Sequence, residues 1–74
     1  MITNITINRD DNVKKQIFNA NDVSIIPNVR DYIKIGDDTH RVVERTFEYF
    51  TDKNRSEICR CTITVEKLGI EVNL

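Results

Sequence analysis

Arg41–Phe50 (RVVERTFEYF), Thr51–Glu57 (TDKNRSE) and Ile58–Val65 (ICRCTITV) decide the fold of this chain. Together they read as one long antiparallel hairpin. Its second arm alternates cleanly. Cys59, Cys61, Ile63 and Val65 share one parity; Arg60, Thr62, Thr64 and Glu66 share the other. A period of two is what a half-buried strand requires. The first arm does not keep one parity. Phe47 and Tyr49 share theirs with Val43, but also with Arg41 and Arg45, while Val42 has the opposite one. Burying both Val42 and Phe47 needs one extra residue between them. A bulge or sharp bend is therefore expected at about Glu44–Thr46. Bends of that kind let a sheet curl into a small barrel.

Outward from the hairpin, the chain continues to read as strands. Gly36-Asp37-Asp38 suits a tight turn, with Gly36 supplying a positive φ. Before it, Tyr32–Ile35 (YIKI) is a short strand with Ile33 and Ile35 inward. Val23–Ile26 (VSII) stops at Pro27, which cannot donate to a ladder. That piece is expected at an edge or outside the sheet. Lys14–Ala20 (KKQIFNA) reads as a second strand whose register is blurred by the adjacent Ile17 and Phe18. Residues 2–8 give a first strand with Ile5 and Ile7 on one face. Between them, Arg9–Asn12 reads as a turn, and Asp10–Gln16 is the only candidate for a turn of helix, capped by Asp10 or Asp11. After Glu66 the parity flips, with Leu68, Ile70, Val72 and Leu74 in phase. A terminal strand is expected there, paired with the N-terminal strand so as to protect two edges.

Composition supports extended structure. Val, Ile and Thr are frequent, Ala occurs once and Leu twice. Branched side chains favour a pleated surface. With 74 residues, 39% hydrophobic and 31% charged, the chain makes a single domain over 1–74. A domain of this size has little room to wall off a large active-site cavity. No apolar run reaches the roughly 18 residues of a membrane helix. MITNITINRDD has neither a basic start nor an apolar run, so no signal peptide is expected, and the expected compartment is the cytoplasm. With 11 basic and 12 acidic residues the net charge is −1, and there is no global basic excess to drive phosphate binding.

Few residues offer chemistry. Cys59 and Cys61 point the same way on a strand, a poor geometry for a disulfide between them. They read as small buried apolar residues. With only the distant His40 as a further ligand they make a poor metal site, and none is expected. His40 reads as a surface residue at a hairpin shoulder, although Asp37 and Asp38 are near enough in sequence to orient an imidazole. Asp37-Asp38 and Asp10-Asp11 read as turn residues, since no calcium-loop spacing follows either pair. Arg41, Arg45 and Arg60 are the more interesting group. With the bend at Glu44–Thr46 they share the outer face of the hairpin, beside Tyr49 and Phe50. Such a basic–aromatic surface fits a phosphate, a nucleic acid or an acidic protein surface. The interleaved Glu44, Glu48 and Glu66 favour cross-strand ion pairing instead. Phe50, Tyr32 and Val43 form a second candidate patch, for a partner or a dimer.

Pro27–Val65 resembles a pattern found in small phage and mobile-element proteins with an SH3-like barrel. The features are Pro27, the acidic–aromatic pair Asp31-Tyr32, Ile33 and Ile35, an acidic turn, Arg41-Val42-Val43, the aromatics Phe47 and Tyr49, and the alternating last strand. Where that pattern has Gly before the acidic residue, this chain has Arg30. The resemblance implies a phage origin and a binder of host factors or virion proteins, and it transfers no functional residue. The fold expected is therefore all-β, a five- to six-stranded, SH3-like, partly open barrel built on a long bent hairpin (residues 40–66). The function expected is non-enzymatic binding without a cofactor, in the host cell cytoplasm. The most concrete version is occlusion of a host protein partner by an anti-CRISPR or other counter-defence inhibitor. The alternatives are a module binding nucleic acid or a phosphate ligand, and a virion assembly component, possible as a homo-oligomer.

Overall fold

A computed structural model describes residues 1–11 and 15–68. Among them there are five strands and no helix: β1 (Ile2–Arg9), β2 (Gln16–Ala20), β3 (Tyr32–Ile35), β4 (Asp38–Thr51) and β5 (Glu57–Lys67). They form one nearly closed, barrel-shaped sheet of order β2-β1-β5-β4-β3. The all-β expectation therefore holds. Of the helical turn considered over Asp10–Gln16, residues 12–14 lie outside the described residues, while Asp10, Asp11 and Lys15 are not helical and Gln16 opens β2.

The long hairpin is β4 and β5, paired from His40↔Lys67 to Thr51↔Glu57. Asp52 shapes its tip. Its carboxylate accepts from the Asn54 and Ser56 amides, each at 2.9 Å. Arg55 takes the positive φ of 63° that the turn requires. At roughly 3.4 Å per residue, the 14 residues of β4 account for the 46 Å longest dimension of the molecule.

The register break in β4 lies earlier than the sequence suggested. Val42 is opposite Val65 and Glu44 is opposite Thr64, so Val43 is the extra residue. The parity conflict between Val42 and Phe47 points to a bulge but does not place it. Phe47, although it takes the inward parity opposite Cys61, stays 38% exposed and is not buried as expected. Contacts from a distant segment fix the pairing at Val42. Its carbonyl accepts from Arg30 and its amide donates to Asp31.

β1 lies between β2 and β5, and its pairing with β5 is parallel over Ile2↔Ile58 to Arg9↔Val65. The expected partner of β1, a terminal strand beginning at Leu68, lies outside the described residues beyond Leu68 itself. Leu68 donates its amide to the Thr39 carbonyl.

Alternation then builds the core. Ile5, Ile7, Val42, Cys61, Ile63 and Val65 are buried together on the inner face. Ile33 and Ile35 pack against them from β3, and Val23 and Ile26 from the loop before Pro27. That loop is outside the sheet, as Pro27 implied, and Val23 donates to the Thr3 carbonyl. In β2 the register breaks so that Ile17 is the extra residue. Ile17 thereby packs against the core although its neighbour Phe18 stands opposite Ile7, which resolves the blurred register of this pair.

Candidate functional site

The bulge at Val43 decides where the arginines go. Arg41 precedes it, and Arg41 stands opposite Glu66 on the outer face. Arg45 follows it and stands opposite Ile63, on the inner face. Arg60, on β5, is on the outer face opposite Glu48. The expected trio is thus split. Arg41 and Arg60 share one side, and Arg45 lies on the other with Phe47 and Tyr49.

Each arginine is engaged. Arg41 forms an ion pair with Glu66. Arg60 Nη1 is 3.2 Å from Glu48 Oε1, and the Arg60 guanidinium lies 5.0 Å from the centre of the Phe50 ring. Arg45 Nη1 donates to Asn28 Oδ1 at 2.9 Å and to the Pro27 carbonyl at 3.3 Å. Its guanidinium also lies 5.3 Å from the centre of the Phe47 ring. Cross-strand pairing therefore describes Arg41 and Arg60, and anchoring of a loop describes Arg45. Exposed pairs of this kind add little stability, typically below about 1 kcal/mol.

The aromatic residues belong to the far half of the hairpin. There β3 no longer flanks β4, since their pairing ends at Tyr32↔Arg41. Tyr49 is 66% exposed and Phe50 is 36% exposed, on opposite faces of the strand. Phe50 stands opposite Ile58, whose neighbour on the other side is Ile2, and it lines a shallow depression with Met1, Tyr49 and Ile58. The proposed grouping of Phe50 with Tyr32 and Val43 does not form. Tyr32 and Val43 line a depression with Val29 and Arg41. Phe50 is seven residues further along β4, about 24 Å away on an extended strand.

His40 is buried, at 3% exposure, which corrects the expectation of a surface residue. It has the inward parity of Val42, and its Nδ1 has no hydrogen-bond partner. Asp37 and Asp38 are exposed at the turn, and Asp38 pairs with Lys67 at 3.6 Å. Cys59 and Cys61 are free thiols, buried as the alternation implied. Burial pushes the Cys61 thiol up; neighbouring Cys59 adds to this and Arg45 opposes it. No group of His, Cys, Asp or Glu among the described residues is arranged to hold a metal ion.

One concave site was not visible in the sequence. A groove of about 470 Å³ runs between β2 and β3. Ile5 and Ile7 floor it, Phe18 and Ala20 wall it from β2, and Ile33 and Ile35 wall it from β3. The adjacent Ile17-Phe18 was the only hint, and it read as ambiguity of register. The volume is in the range of ligand clefts.

Comparison with protein-family models, with curated proteins and with solved structures finds no match to this chain. What the fold and site define is therefore a small, nearly closed β-barrel with a projecting aromatic hairpin and an apolar groove along its seam.

Proposed function

We propose that this chain is a small non-enzymatic binding module that covers the surface of a protein partner with the far end of its β4–β5 hairpin. The carrying observation is the exposure of Tyr49 and Phe50 where β3 no longer flanks the hairpin. Aromatic rings with limited rotamer freedom are the usual anchors of protein interfaces. Arg60 lies over the Phe50 ring and adds an amphipathic rim. The phosphate-binding alternative is less well supported. Glu48 and Glu66 put carboxylates on the guanidinium groups that phosphates would need. The concrete version, a phage-encoded inhibitor of a bacterial defence system acting in the host cytoplasm, rests on the resemblance over Pro27–Val65.

The test is a pull-down of the full chain from bacterial lysate, followed by titration of the identified partner. Tyr49→Ala with Phe50→Ala should weaken binding at least about tenfold, as expected for two interface anchors. Affinity should change little between low and moderate salt. A steep salt dependence removed by Arg41→Glu with Arg60→Glu would instead establish nucleic-acid or phosphate binding.

A further inference from the structure

The sheet ends in two strand edges, and they face the same apolar groove. β2 and β3 are the outermost strands, and neither has a second strand partner among the described residues. An edge strand presents a row of backbone N–H and C=O groups able to pair with another chain. The side chains beside those edges are also incompletely covered. Phe18 is 45% exposed and Ile25 is 82% exposed, while Ile5 and Ile7 lie buried beneath. The barrel is open along this seam.

The pairings fix the directions of the two edges. β3 is antiparallel to β4, β4 to β5, β5 is parallel to β1, and β1 is antiparallel to β2. It follows that β2 and β3 run in opposite directions. A strand laid between them is parallel to one and antiparallel to the other. The edges are 5 and 4 residues long, roughly 13–17 Å of strand. Lys34 is the charged side chain on the groove lining, it alternates outward between Ile33 and Ile35, and it has no ion-pair partner among the described residues.

We propose that this groove receives one extended peptide strand of a partner, inserted as a sixth strand between β2 and β3. The peptide carries apolar side chains at alternate positions, directed onto Ile5, Ile7, Phe18 and Ile33. On its outward parity it carries an acidic residue that meets Lys34. An acyl chain would cover the apolar walls but leave both backbone edges unpaired. A peptide strand satisfies both, with backbone bonds supplying affinity and alternate side chains supplying selectivity. This surface is separate from the aromatic end of the hairpin.

The test uses the isotopically labelled full chain and an end-blocked hexapeptide, Val-Thr-Val-Glu-Val-Thr. Saturable amide shifts confined to β2, β3 and the floor of the groove, with slowed exchange at the two edges, support the proposal. Lys34→Glu should weaken that peptide roughly three- to fivefold, and a Lys-for-Glu peptide should recover the loss. Absence of saturable shifts up to about 1 mM peptide overturns the proposal. So does equal binding of a peptide with two central prolines, which cannot pair as a strand. Laurate binding in place of the peptide would make the groove a lipid site. Protection of both edges by concentration-dependent dimerisation would make it a self-association site, and either result overturns the proposal. Tyr49→Ala and Phe50→Ala should leave the peptide titration unchanged.

Discussion

Arg45 Nη1 donates to Asn28 Oδ1 at 2.9 Å, tying the middle of β4 to the loop that precedes β3. The same nitrogen donates to the Pro27 carbonyl. Because the bulge at Val43 turns Arg45 inward, its charge is used within the fold. Arg45→Ala should therefore destabilise the protein by about 1–2 kcal/mol, the low end for hydrogen bonds made by a charged group because these are exposed or only part-buried. Arg45→Lys should recover only part of the loss, since an ammonium can donate to both acceptors but has no planar face to lie over Phe47. Urea denaturation measures the loss. Amide exchange should quicken first at Arg30, whose bond to the Val42 carbonyl depends on this loop.

Arg30 has a φ of 80°, in the left-handed region where a Cβ is unfavourable. Arg30→Gly should relieve the strain and raise stability by about 1 kcal/mol, less a few tenths for the more flexible unfolded chain. In a domain of this size the net gain corresponds to a rise of roughly 2–6 °C in Tm. Arg30→Val should move Tm the other way, because a β-branched residue tolerates positive φ poorly. A fall in Tm for the glycine variant would show that contacts of the Arg30 side chain outweigh the strain.

Local periodicity made much of this fold legible. The inward set Cys59, Cys61, Ile63 and Val65, the Ile33–Ile35 strand and the turn at Gly36 follow from neighbouring residues alone. The parity conflict between Val42 and Phe47 showed that a bulge exists, but its position depends on hydrogen bonds from Arg30 and Asp31. That shift reassigned Arg45 from the outer face to the inner one. The parallel pairing of β1 with β5 had no local signal, since no turn joins the two strands. The groove was hidden for the same reason. Its walls, Phe18 and Ile33, belong to opposite ends of the sheet. His40 is a different case: it is two residues before Val42, so its burial could have been read from parity alone.

His40 is buried with an Nδ1 that has no hydrogen-bond partner. A desolvated polar atom left unsatisfied costs about 1–3 kcal/mol. His40→Leu, of similar bulk, should remove that penalty and raise stability by about 1 kcal/mol. His40→Asp should lower it by more than about 2 kcal/mol, because a carboxylate at this depth is desolvated without a partner. Denaturant midpoints at constant m-value distinguish the two. Equal destabilisation by Leu and Asp would mean that imidazole shape, not polarity, matters at this position.

Cys61 stands opposite Phe47 in the centre of the hairpin and is fully buried. Burial favours its neutral thiol and so raises its pKa in the folded protein. The unfolded chain then releases this proton at lower pH than the folded one. Between the two pKa values the native state binds more protons, and stability falls as pH rises. The contribution is fully present below about pH 8.5, the ordinary thiol range, and is lost above it. Cys61→Ala should lower stability at neutral pH by leaving a small cavity, yet flatten this alkaline decline. The comparison is between the alkaline slopes of the two proteins, not between their absolute stabilities. In the native wild type, thiol labelling at neutral pH should be slow at Cys61 and should accelerate in denaturant. Identical alkaline slopes for wild type and Cys61→Ala would rule out this thiol as their source.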